Sequence, residues 1–155
     1  MNTAIHIADA VVAVINAAPL DPAIVATRKV VPEYEMRKLE ETTVIVVPRS
    51  IETTRVTRAS DKHRYAMDIA VMRKAPEGDI DAFVDQMCDI VVAVRGAVAG
   101  QHLTIGQGGT ATTALFISAG IDPVYSLDHL TQQRTFLSVI RCEYDTMDGT
   151  DETTV

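Results

Sequence analysis

The chain has little of what most chemistry needs. Aromatic residues make up 5% of it, with no tryptophan, and they are scattered, so no platform exists on which bases could stack. The two cysteines lie far apart, Cys88 in a helical pattern and Cys142 in a strand pattern. Two such thiols exclude a disulfide framework and indicate buried cysteines in a reducing compartment. Fourteen Lys and Arg against 21 Asp and Glu leave a formal charge of −7. That balance disfavours general nucleic-acid binding, which needs a basic surface to displace counterions. The longest apolar run near the start, residues 10–18, is too short to span a bilayer, and no basic leader precedes it, so the expectation is a soluble protein made in a cytoplasm.

Candidate catalytic and ligand motifs are equally sparse. His6, His63, His102 and His129 stand in four different elements, and none has a His, Cys or carboxylate at metal-ligand spacing. No serine lies in a nucleophile-elbow sequence, and neither cysteine has a histidine close by. The carboxylates Asp81, Asp85 and Asp89 form a solvated helix stripe. One glycine-rich run, Gly106-Gln107-Gly108-Gly109-Thr110-Ala111, formally fits a dinucleotide-binding pattern. Its context is wrong, because a threonine-rich, strand-like stretch follows it instead of a helix whose amides could face a pyrophosphate. A flexible turn is the simpler reading. The expectation is no catalytic site, no cofactor and no metal.

What the chain does have is patterning. At 155 residues with 47% hydrophobic content it suits one domain, residues 1–145, followed by an acidic, disordered tail at 146–155. Ile5, Ala8, Val12 and Ile15 recur at helical spacing, capped by Asn2 or Thr3 and ending near Ala17 before Pro19. A strand over residues 23–31, a charged turn over 33–41 and an apolar strand Thr43-Val44-Ile45-Val46-Val47 ending at Pro48 follow. Pro76-Glu77-Gly78-Asp79 is a stop-and-cap signal for an amphipathic helix carrying Ile80, Phe83, Val84, Met87, Val91 and Val94, closed by Gly96. Residues 112–118 read as a strand, Ser126 as the cap of one helical turn with Leu127 and Leu130, and residues 134–145 as an interior strand. The fold class is α+β: a mixed, largely antiparallel sheet with two helices packed on one face and a long extended β-hairpin.

That hairpin is the most informative segment. Residues 49–73 alternate in polarity and break once at Ala59-Ser60-Asp61. The outgoing limb, Ile51 to Arg58, is polar on both faces, so a lone chain gains little by ordering it. The return limb places Tyr65, Met67, Ile69 and Val71 on one face. Arg49, Arg55, Arg58, Lys62 and Arg64 make the hairpin basic and are the candidate interface residues. An arm that reaches a neighbouring subunit and a solvated hairpin on a monomer both fit this pattern.

Ile7-Ala8-Asp9-Ala10-Val11-Val12, Val31-Pro32, Val44-Ile45-Val46-Val47-Pro48, Tyr65-Ala66-Met67-Asp68-Ile69-Ala70-Val71, Asp122-Pro123-Val124-Tyr125 and Phe136-Leu137-Ser138-Val139-Ile140, in this order, carry a resemblance. The chain resembles small structural proteins of the head-to-tail junction of long-tailed bacteriophages, and most of all the tail terminator, or tail completion, type. Residues 106–119 depart from that pattern as an extra segment. The resemblance implies a virion protein synthesised in the bacterial host, forming a ring, six copies being the expected count, that caps the tail tube and stops its polymerisation. Its partners would be other copies of itself, the tail tube protein and the head-tail connector, with no membrane. DNA would pass through the lumen without specific contact, which a negative charge favours. Another junction ring component (head completion or tail tube protein) and, more remotely, a small nucleotide-binding domain are the alternatives.

Overall fold

A computed structural model describes residues 3–20, 24–29, 41–105, 112–122 and 124–149. The elements run α1 (Thr3–Ala17), β1 (Ala26–Arg28), β2 (Thr43–Arg55), β3 (Ser60–Lys74), α2 (Ile80–Val98), β4 (Leu103–Ile105), β5 (Thr112–Ile121), α3 (Leu127–Gln133) and β6 (Thr135–Gly149). The fold is α+β, with the six strands in the order β1-β2-β3-β6-β5-β4. β1 pairs with β2 in parallel, and every other pairing is antiparallel.

The period-two pattern of β3 decides which face is core. Tyr65, Met67, Ile69 and Val71 are all buried, in rows with Tyr144, Cys142, Ile140 and Ser138 of β6. α1 and α2 cover this side, joining Ile7, Val11, Ile15, Phe83, Met87, Val91 and Val94 to one cluster with the strands. Phe83 meets Phe136 edge-on at 6.4 Å between ring centroids, a favoured aromatic geometry. The α1 stripe is turned from the expected one: Ala4, Ile7, Ala8, Val11 and Ile15 are buried, while Val12 is only partly so. The body of three valines and an isoleucine (Val11, Val12, Val14, Ile15) made several faces look equivalent; contact with the sheet chose among them. On the opposite sheet face Ile45 and Met72 form a small second cluster with Val47, Ala70 and Leu137.

Local signals account for the helix starts. Asp79 caps α2, its Oδ1 accepting from the amides of Asp81 at 3.0 Å and Ala82 at 3.3 Å. Ser126 caps α3, its hydroxyl accepting from the His129 amide. Gly96 does not close α2, which continues to Val98. Val98 is fully buried, and nothing lies within 4 Å of where a Cβ on Gly96 would sit. A solvent-facing glycine costs a helix only about 1 kcal/mol, which burial of Val98 offsets. The left-handed residue is instead Gly100, with φ of 75°.

Three strand expectations are corrected. Pro48 does not end its strand, which runs to Arg55. Val46 turns its carbonyl toward β1, accepting from the Lys29 amide at 3.0 Å. Pro48, two residues on, directs its nitrogen to that same side, away from β3, so the pairing with β3 continues through it. A register shift between Pro48 and Ser50 then leaves Arg49 as the extra residue of a bulge. The hairpin turn is Val56-Thr57-Arg58-Ala59, and Ser60 and Asp61 belong to β3. Both the Val56 and Thr57 amides donate to the Ser60 carbonyl, and the Thr57 and Ser60 hydroxyls meet at 2.8 Å, a turn held by side-chain oxygens. Finally, β6 extends beyond Asp145 to Gly149, so residues 146–149 of the expected tail are strand, paired with residues 60–63 of β3. The strand over 23–31 is described only at Ile24–Lys29, as the short β1, docked on α1 by the Asn16 amide, which bonds both the nitrogen and the oxygen of Ala26. The Asn2 cap, most of the charged turn over 33–41, Pro123 and residues 150–155 lie outside the described residues.

Phe83 is 5% exposed and bridges helix and sheet. Its replacement by alanine is expected to cost roughly 3 to 5 kcal/mol, measured by denaturant or thermal unfolding. An unchanged midpoint would place the ring outside the core.

Candidate assembly surface

The long hairpin is two strands of a three-stranded arm. β3 runs down its middle, flanked by β2 on one side and β6 on the other over their full outer lengths. From Arg49 to Arg55 β2 is exposed at every residue, a length of roughly 20 Å at strand rise. β1 covers only Val44, Ile45 and Val46, with one further bond from Lys29. β5 leaves β6 after the Leu115 to Asp145 pair. Among the described residues, then, both outer edges of the distal arm are unpaired. Exposed apolar side chains ring it: Ile51 and Val56 on the hairpin, Met147 on β6, Leu115 and Ile117 on β5.

The arm is held by charge across its middle strand. Arg64 grips Asp145 with two hydrogen bonds, Nε to Oδ1 at 2.8 Å and Nη2 to Oδ2 at 3.0 Å. Glu143 and Lys62 stand 3.9 Å from Arg64 and Asp145 respectively. The Asp145 side chain is 10% exposed, so its charge depends on the guanidinium. The hydrogen bond to Arg64, against some desolvation, holds the Asp145 carboxyl below the ordinary carboxylate range, and the same bond raises the Arg64 pKa. Nearer the body, Asp68 receives Arg49 at 3.0 Å and Arg141 at 3.4 Å, joining β2, β3 and β6. Arg55 lies 3.5 Å from Asp61 in an exposed pair worth little.

The five basic residues singled out in the sequence therefore separate. Arg49 and Arg64 are internal fasteners, Lys62 supports Asp145, and Arg55 and Arg58 remain at the tip. Arg58 makes no ion pair with any described residue. What the sequence reading missed is the role of Asp145, expected only as the last residue of an interior strand and found as a buried carboxylate held by Arg64.

Other chemistry is muted. Cys142 is buried, and burial pushes its thiol up to about 12; Cys88 is raised as well, by burial and by Asp85 and Asp89. Both stay protonated at neutral pH and are poor nucleophiles. The Tyr144 hydroxyl is buried near the Cys142 thiol, and burial raises its pKa too. The four histidines lie apart, and no group of three metal-binding side chains occurs among the described residues. The run at 106–111 lies outside the described residues. No described helix is long and apolar enough to cross a membrane. Among known proteins, no family model matches the chain and no curated protein is significantly similar to it.

The pair carries a pH signature. A carboxylate with a lowered folded pKa contributes stability that is present above its unfolded pKa, near 4, and is lost as pH falls through the folded value. Asp145→Asn should thus melt below the wild type at pH 7, with a gap that holds to about pH 5 and closes in more acid solution. A gap independent of pH down to about pH 2 would show that Asp145 acts by shape alone.

Proposed function

We propose that the protein is a structural subunit of the head-to-tail junction of a long-tailed bacteriophage, a tail terminator that forms a ring on the end of the tail tube, stops its growth and receives the head connector. The observation that carries this reading is the three-stranded arm: an exposed, charged extension beyond the helix-covered core, whose outer edges lack a strand partner among the described residues toward the tip. An isolated chain gains little by keeping such an edge open, and open edges are pairing templates that monomeric proteins blunt. Contacts between different surfaces of identical copies either close into a ring or run on as a filament, and a terminator must close. Partners are further copies, expected to number six, the tail tube protein and the connector. DNA passes through without readout.

The same arm would serve a head-completion or tail-tube subunit, and assembly separates these by where polymerisation stops. Purified chain added to growing tubes should fix their length and appear as a single ring at one end, by cryo-microscopy and native mass spectrometry. Incorporation along the tube would make it a tube protein. A single copy at the tail end would overturn the ring altogether.

Arg55 and Arg58 supply the second test, since neither fastens the fold to a buried partner. Their joint replacement by alanine should leave the melting curve of the chain unchanged and yield tails of irregular length or tails that fail to join heads. Normal infectious particles at raised salt would make both ordinary solvated charge. Arg64→Ala, by contrast, should lower the melting midpoint of the free chain, because Asp145 is left buried without its partner.

A further inference from the structure

The geometry points to a contact between two copies of the free chain: the outer edge of β2 on one copy pairs with the same edge of a second, antiparallel, about a two-fold axis at Thr53. Of the arm's two sides this is the bare one. β2 is exposed at every residue from Arg49 to Arg55, whereas Thr146 on the β6 side is 3% exposed. Which backbone groups face outward follows from the ladder. The Val46 carbonyl points away from β3, toward Lys29, so its partner Ile69 turns its own groups to β6. β3 pairs with β6 without interruption down to Asp61, so Tyr65, His63 and Asp61 also face β6. Their partners beyond the bulge, Ile51, Thr53 and Arg55, therefore turn N–H and C=O outward. No described strand pairs with them on that side.

A two-fold axis between antiparallel edges sets one residue opposite its own copy, and that residue names the register. Centred on Glu52 or Arg55, the pair sets a charge against its twin, which is destabilising. Centred on Ser50 or Ile51, it sets Arg49, the extra residue of the bulge, against Ile51 or Thr53, where the ladder is broken. Any earlier centre runs the pair into the stretch that β1 covers, and Thr54 or any later centre sends Ile51 into or past the hairpin turn. The register centred on Thr53 alone gives all three outward residues a strand partner, Thr53 with Thr53 and Ile51 with Arg55. Every outward amide and carbonyl is then bonded. On the other face Glu52 falls beside Thr54, and no like charges are opposed. The occupant this edge fits is a second copy of itself. Such a contact closes after two copies, so it goes beyond the ring proposed above and neither builds nor requires it.

Thr53→Pro and two cysteine variants test the contact. Because the Thr53 amide faces outward, proline there removes no backbone bond to β3 but deletes the central bond of the joint. Sedimentation of the purified chain should show a monomer in equilibrium with a dimer, and Thr53→Pro should lose the dimer while keeping the melting midpoint of the dilute monomer. For the register, Glu52→Cys and Thr54→Cys are made as separate chains, each with Cys88→Ser, Cys142 being buried. Glu52 and Thr54 of opposite copies form a non-hydrogen-bonded pair with Cα atoms about 4.5 Å apart, within disulfide reach. Each residue and its own twin lie on the diagonal, roughly 7 to 8 Å apart. Oxidation of the mixture should give a covalent dimer holding one chain of each kind, and oxidation of either variant alone should give none. A chain that is monomeric at every concentration, a dimer that survives Thr53→Pro, or a mixture that fails to cross-link overturns this contact, and each of these leaves the ring to be decided by the tube assay.

Discussion

The arm depends on the pair between Arg64 and Asp145. The two residues are 81 positions apart, on the middle strand and on the last one, and their bidentate contact fastens β6 to the hairpin where helix cover runs out. Without it, β2 and β3 would form a two-stranded ribbon, which is marginal in water on its own. With it, the third strand follows β3 to the tip. Thr146, beyond the last residue of the expected domain, is 3% exposed, so this stretch is built into the sheet and not merely laid beside it.

A partly buried ion pair is weak evidence for net stability, since desolvation and solvent screening offset the attraction. Its value here is geometric. A planar guanidinium gripping both carboxylate oxygens fixes direction and register in a way that a lysine could not. Slippage of β6 by one residue would turn Asp145 to the helix side and Tyr144 away from it. The network around Asp68 repeats the device one stage nearer the body, with Arg49 supplied by the bulge in β2. Charge that a net count would assign to solvent is thus spent on holding three strands in register.

Much of the fold was legible because its cues are local. The alternation Tyr65, Met67, Ile69, Val71 named the buried face, Asp79 and Ser126 announced their helices, and Phe83, Met87, Val91 and Val94 marked the stripe of α2. The misread places share a cause: each was decided by a distant partner. Gly96 reads as a helix stop until Val98 is seen to be buried. Pro48 reads as a strand end until its nitrogen is seen to face away from β3, whose pairing it leaves intact. Residues 146–149 carry an acid, a glycine and no clear period, and only pairing with residues 60–63 makes them a strand. For the candidate site, the cluster of five basic residues was visible, but the division of labour among them was not, because the sequence does not place Arg64 beside Asp145 or Arg49 beside Asp68.

This division narrows what the arm can do. If all five cations were free, the hairpin would be a basic patch, and a polyanion would be the natural partner. Arg49 and Arg64 face carboxylates of their own chain, and Lys62 stands near one of them, which leaves Arg55 and Arg58 at the tip and a chain that is acidic overall. Two cations at the tip are too few for affinity toward phosphate at physiological salt, where binding scales with the number of phosphates neutralised. On the assembly reading proposed above, they are enough to bias which neighbouring surface is accepted. The backbone of an open strand supplies attraction without preference, and the charges set which edge, and which register, is accepted.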